Sequence, residues 1–178
     1  MTRKKRILIV LGLVTLLIVV DHVTKWVALH YLKDSGNVHV FLGDLFRLQY
    51  AENTGAFLSL GANLPGSARA FVMIGMNTVI LAGVMVYLFA AKHITWMPML
   101  ALVCIVGGGV GNLIDRVLRD GRVVDFMNMG INLGGFSLRT GIFNVADVAI
   151  MAGLFLIIFN ELTGLRGGQN TNNEAQKG

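Results

Sequence analysis

Charge is scarce in this chain: 14% of its 178 residues are charged, 54% are hydrophobic and the mean hydropathy is +0.67. Soluble domains carry about 25% charged residues, and a water-soluble fold of this composition would lack the polar surface to cover its apolar atoms. The bilayer is the solvent it suits. Cysteine is nearly absent. Cys104 stands alone in an apolar run, which excludes an intrachain disulfide and a four-thiolate metal site and reads as a small buried apolar residue. The chain has no His-Glu-x-x-His and no Gly-x-Ser-x-Gly, and His22, His30, His39 and His93 are scattered without ligand spacing, so neither a zinc hydrolase nor a serine elbow is expected. Gly107-Gly108-Gly109-Val110-Gly111 lacks the Lys-Ser/Thr ending of a phosphate loop; close helix packing explains it better. No basic stripe is interleaved with aromatics, which excludes nucleic acid as a partner. Much of the +5 net charge comes from Arg3-Lys4-Lys5-Arg6, placed before an apolar run as a cytoplasmic anchor on anionic lipid.

Long hydrophobic runs are what the chain has. Ile7 to Val20 follows the basic cluster as a secretory signal would, but no small-x-small cleavage site follows and the helical pattern continues through Trp26, Val27, Leu29 and Leu32. The pattern predicts a retained helix over 6–32 with a polar stripe in its outer half. Further membrane helices are expected over 69–91, 97–116 and 142–163, each about the ~20 residues needed to cross the hydrocarbon. Four crossings put both termini on one side, and the basic N-terminus makes that side the cytoplasm. The segments 33–68 and 117–141 then share the extracytoplasmic face. Phe46, Leu48 and Tyr50 alternate with Arg47 and Gln49, a period of two that predicts a strand. A small sheet, with an interfacial helix near Phe57 to Leu64, is expected as a platform there. The polar tail, 164–178, reads as disordered and cytoplasmic. The fold class is thus mainly α, polytopic, one domain over 1–178.

The chemistry left open is that of carboxylates. Asp115, Asp120, Asp125 and Asp147 fall near the outer ends of the third and fourth spans, where ionisable groups are costly and tend to be functional. Two acids held together do not ionise together easily; one keeps its proton, giving an acid and a base able to activate water on an amide without metal or nucleophile. Bland readings stand beside this. Asn144 and Asp147 have the spacing of an N-cap and its capping-box partner, which alone would account for both. Asp115-Arg116 reads as an ion pair ending the third helix. Asp21 and Lys25, four apart, form a favourable intrahelical pair and are read as structural. Asp125, between Val124 and Phe126, is hardest to explain as a solvating residue. A small transporter or channel subunit is the alternative reading of interfacial carboxylates, but it predicts acids spread through the bilayer depth.

Along nearly its full length, tails excepted, the sequence resembles the lipoprotein signal peptidases (signal peptidase II). Asp21-His22-Val23-Thr24-Lys25 looks like the first motif and Asn53-Thr54-Gly55-Ala56-Phe57 like the second. Gly111-Asn112-Leu113-Ile114-Asp115-Arg116 with Val123-Val124-Asp125-Phe126 resembles the third, and Phe143-Asn144-Val145-Ala146-Asp147 the fourth. The resemblance implies an aspartic endopeptidase, without metal or cofactor, that cuts diacylglyceryl-modified prolipoproteins just before the lipidated cysteine. Its catalytic pair maps onto Asp125 and Asp147. Asn53, Asn112, Arg116 and Asn144 match the polar residues around that pair, and Asp115 a supporting one. Phe57 departs from the second alanine many members carry after Gly-Ala. Substrate, membrane lipid and no other chain are the expected partners of a monomer.

Overall fold

A computed structural model describes residues 2–54, 66–133 and 135–175. The expected interfacial helix near Phe57 to Leu64, and the Gly55-Ala56-Phe57 part of the second motif, lie outside the described residues. Four long helices are α1 (Arg3–Tyr31), α2 (Gly66–Ala90), α3 (Trp96–Leu118) and α4 (Val145–Ala175), and four strands are β1 (His39–Phe41), β2 (Phe46–Asn53), β3 (Val123–Leu133) and β4 (Phe136–Arg139). Each helix contains a stretch long and apolar enough to cross a membrane. The tail expected to be disordered is helical to Ala175; it contains no proline, and glycines slow but do not stop the extension of a helix already nucleated.

Helix α3 is the hub, packing against α1, α2 and α4. Its glycines make this possible. A Cβ at Gly108 would fall on the Ala146 carbonyl oxygen, and one at Gly111 would lie 2.7 Å from Asp21 Oδ2, so the backbones approach too closely for any side chain. The buried residues of α1 (Val10, Val14, Asp21, Lys25 and Ala28) fall on one helical face. The first two join Leu88, Met99, Val103 and Val106 in an apolar cluster. The opposite faces carry Leu8, Leu16, Phe71, Val79 and Phe155, all exposed, as lipid-facing helices require.

The strands form one antiparallel sheet in the order β1-β2-β3-β4. Its inner end seats on α1, where Phe126 packs with Ala28 and Leu32. The β2–β3 register runs Leu48 opposite Met127 but Ala51 opposite Asp125, so β2 holds one extra residue, a bulge around Gln49 and Tyr50. That extra residue reverses the alternation. Phe46 and Leu48 share a face with Met129 and Met127, and beyond the bulge Ala51 and Asn53 take that face, beside Asp125. The fourth helix begins at Val145, not at 142. Phe143 pairs instead with Met127 of β3, through Phe143 N–H to the Met127 carbonyl (2.8 Å) and Met127 N–H to the Phe143 carbonyl (2.9 Å).

Candidate active site

That pairing delivers Asn144 to the side of Asp125 just as α4 starts. Asn144 is wholly buried. Its Oδ1 accepts from Asp147 N–H (2.9 Å), and its own N–H donates to Asp147 Oδ2 (3.1 Å). This is the reciprocal capping box expected from the spacing. Its amide nitrogen is then turned outward and donates to Asp125 Oδ1 at 2.6 Å, with the Val124 carbonyl (3.2 Å) and Asn112 Oδ1 (3.1 Å) also in reach. The capping and the site readings therefore hold together: one asparagine caps α4 and joins the two aspartates.

Asp125 is buried at the start of β3, with Asn53 Nδ2 donating to its Oδ2 at 3.0 Å. Ala51 stands opposite Asp125 and Asn53 two residues on, the diagonal same-face position. Burial, and after it the charge of Asp147, push the Asp125 carboxyl up to about 6, against the hydrogen bonds from Asn53 and Asn144. Asp147 is half-buried in the first turn of α4. Its Oδ1 accepts from Asn112 Nδ2 at 2.8 Å.

Beneath these lies a second layer. Lys25 and Asp21 form the expected i,i+4 pair at 2.7 Å, but the pair is not merely intrahelical. Lys25, 1% exposed, also reaches Asp115 Oδ2 (3.0 Å) and Asn112 Oδ1 (2.9 Å). Asp21 Oδ1 accepts from the Ala146 N–H at 2.9 Å, a second acceptor for the first turn of α4. Asp115 accepts from the Val124 N–H at 3.1 Å and tethers β3 one residue before Asp125. The expected Asp115–Arg116 ion pair is not what forms: Asp115 pairs with Lys25 and with Arg119 (3.2 Å). Neighbours in a helix point apart, whereas i,i+4 residues meet. Arg116 donates from Nη1 to the Asn112 carbonyl (3.2 Å), and its buried Nε has no partner among the described residues.

Asp21, Lys25, Asn53, Asn112, Asp115, Arg116, Asp125, Asn144 and Asp147 thus meet at one end of the bundle, whereas Asp120, the other candidate carboxylate, stands exposed in the turn after α3. Sequence reasoning did not find the outer charge clusters. Glu52 accepts from Tyr50 and Arg122 (2.6 and 2.7 Å). These bonds hold its carboxyl below the usual range, while burial, and then Glu52, push the Tyr50 phenol up to about 12. Further out, Asp44 binds Arg47 (2.5 Å), Arg139 (3.3 Å) and Asn132, clasping the β1–β2 turn onto β3 and β4. The surplus of arginines between α3 and α4 was the available signal: Arg122 and Arg139 are matched to the distant acids Glu52 and Asp44. Among the described residues, no three His, Cys, Asp or Glu are grouped to hold a metal.

Fold and site define a polytopic membrane protein with a buried and a half-buried aspartate, bridged by Asn144, at the junction of a helix bundle and a small sheet. A sequence model of the signal peptidase (SPase) II family matches residues 13–163, and the chain belongs to that family; it is a protease. It is 33% identical over 148 residues to a lipoprotein signal peptidase of Borrelia hermsii, covering 83% of this chain and 85% of that one. To a lipoprotein signal peptidase of Chlorobaculum tepidum it is 38% identical over 142 residues, covering 78% and 84%. Among solved structures, a bacterial membrane enzyme determined by the in meso method at 1.9 Å resolution shares the fold: TM-score 0.69 at 24% identity, over 86% of this chain and 92% of that one.

Proposed function

We propose that this protease removes the signal peptide from diacylglyceryl-modified prolipoproteins by cleaving N-terminal to the lipidated cysteine, with Asp125 and Asp147 activating the attacking water. The observation that carries this reading is the Asn144 side chain. It bonds Asp125 through its amide nitrogen and the first turn of Asp147's helix through its amide oxygen, which holds two acids in one small, largely buried site.

The chemistry follows from their surroundings. Asp125, pushed up to about 6, is the group suited to hold the shared proton and give it to the scissile carbonyl oxygen. Asp147 accepts two hydrogen bonds and sits where the positive end of the helix dipole favours an anion; it takes a proton from water as the hydroxyl adds to the carbonyl carbon. The tetrahedral adduct then collapses. That proton passes from Asp147 to the leaving nitrogen while Asp125 takes back a proton from one hydroxyl of the adduct; the C–N bond breaks, a carboxylic acid and an amine result, and the pair returns to its starting state. Arg116, whose Nε has no partner among the described residues, binds a substrate carbonyl in this reading.

The substrate is a membrane-embedded helix ending in a lipid-modified cysteine, so a site at the bilayer rim suits it. We read the basic N-terminus and the end of α4 as cytoplasmic and the sheet as extracytoplasmic, in a bacterial inner membrane. The alternative of a transporter or channel has little support: the buried acids collect at one end of the bundle, not along it.

Purified protein in detergent, mixed with a diacylglyceryl-modified precursor and with the same precursor unlipidated, tests this. Cleavage of the lipidated form alone, abolished by Asp125→Asn and by Asp147→Asn, is expected. Full activity in either variant would remove the pair, and equal cleavage of both precursors would remove the substrate class.

A further inference from the structure

Lys25 is not needed to hold α1 together, yet it is buried with three acceptors around its ammonium: Asp21 Oδ2, Asp115 Oδ2 and Asn112 Oδ1. The third has a consequence for the site. An asparagine amide offers an acceptor oxygen at one end and two donor hydrogens at the other, and turning it over exchanges the two. An ammonium has only hydrogens to offer. With Lys25 at 2.9 Å, the Asn112 oxygen must face α1, and its nitrogen is forced toward Asp147 Oδ1, which it meets at 2.8 Å. Asn144 Nδ2 also faces the Asn112 oxygen, but at 3.1 Å and with its two hydrogens divided among three acceptors, of which Asp125 is nearest. The charge-assisted bond from Lys25 is the stronger constraint. Resting on the reading of Asp125 and Asp147 as the water-activating pair, we propose that Lys25 is a positioning residue: through Asn112 it fixes which end of an amide Asp147 meets.

The charges around Lys25 bear on how this is tested. Asp21 and its neighbour His22 (3.6 Å apart) face it from α1, Asp115 with Arg119 on its other oxygen from α3, and the fields of Asp125 and Lys25 also meet. Removing Lys25 alone leaves two buried carboxylates without their cation, a change that can prevent folding. Lys25→Met/Asp115→Asn removes one charge of each sign, so the net charge is unchanged while the amide is released. In this variant kcat falls at least about tenfold with KM held within about twofold, because the pair is no longer held in its reacting geometry while substrate binding is untouched. A purely structural lysine predicts a lower Tm with kcat of the folded variant unchanged.

A measurement on the wild-type chain in bilayers stands independent of folding. Solid-state NMR should show strong dipolar coupling between Asn112 Nδ2 and the Asp147 carboxyl carbon, and weak coupling between Asn112 Nδ2 and Lys25 Nζ. The inverse pattern overturns the proposal, as does a folded double variant with wild-type kcat. Failure of the pair itself has a different signature: Asp125→Asn or Asp147→Asn stays active while the Asn112 coupling is unchanged.

Discussion

Asn144 performs two tasks, and its two ends separate them. Its oxygen caps α4 and its nitrogen serves Asp125. Serine caps a helix as well as asparagine does but is too short to reach Asp125 and carries no amide hydrogens. Asn144→Ser should therefore keep most of the stability, losing about 1–2 kcal/mol for the vacated bonds, while hydrolysis falls on the order of a hundredfold. Thermal unfolding in detergent beside a cleavage assay checks both halves. Asp125 allows a test by pH. Its carboxyl is pushed up to about 6 in the folded protein, above the ~3.9 of an unfolded aspartate. The folded state then holds a proton that the unfolded state releases, so this residue's contribution to stability is most favourable below about pH 4, declines as pH rises toward 6 and stays low beyond. Asp125→Asn lacks that loss. Relative to wild type it should gain on the order of 2 kcal/mol between pH 4 and pH 7, read as a diverging pair of Tm-against-pH curves; parallel curves would refute the raised carboxyl. The candidate acids stood out in the sequence because charges are rare in an apolar chain, and Asn53, Asn112, Arg116 and Asn144 were added by the family resemblance. Their bonds were not legible there: Asp115 follows the i,i+4 rule to Arg119 and a long-range contact to Lys25, and only the packing of α1 on α3 reveals the latter.

At the scale of elements, the glycines of α3 decide how near α1 and α4 can come. Gly111 lies over the Asp21 carboxylate, whereas Gly12 has nothing within 4 Å of the position its Cβ would take. Gly111→Ala should push α1 outward and loosen the Asp21–Lys25–Asp115 junction, costing about 1–3 kcal/mol and most of the activity. Gly12→Ala should leave both unchanged or raise Tm slightly, since alanine is the better helix former. Equal Tm values for the two variants would contradict the close approach. All four helices were readable from hydrophobic runs, with ends displaced by no more than three residues except at the end of α4, which runs to Ala175 where 163 was expected. The sheet was less so. In β3, Val123 to Phe126 are all buried, so no alternation marks the strand that carries Asp125. In β2 the alternation was visible, but extending it to Asn53 without the bulge places that residue on the face away from Phe46 and Leu48. The bulge is set by pairing with β3, which β2 alone does not encode.

The molecule as a whole is organised by which end of the bundle faces which solvent. Between their ends the described helices expose mainly apolar side chains, from Leu8 and Leu16 to Phe155 and Ile158, an arrangement stable only in lipid. Polar groups are instead buried, and they are segregated. Asp21, Lys25, Asn112, Asp115, Asp125 and Asn144 lie at the sheet end, while at the other end Arg6 Nη2 donates to the Phe89 carbonyl at 3.1 Å, satisfying a carbonyl at the end of α2. Arg6 thus ties the basic N-terminus of α1 to the end of α2, placing both on one side. If that side is the cytoplasm, as the Arg3–Arg6 cluster implies, the loop at His93 lies inside, and Val40 on β1 and Leu118 at the end of α3 lie outside. Single cysteines at these positions in a Cys104→Ser background test this directly. A membrane-impermeant maleimide added to intact spheroplasts should label Val40→Cys and Leu118→Cys, both well exposed, and label His93→Cys only after the membrane is opened. Since the site residues bond directly to β3 and to the sheet ends of α1, α3 and α4, the labelled side is also the side on which substrate is cut. The reverse pattern would place the aspartates in the cytoplasm, where an exported precursor does not present its cleavage site.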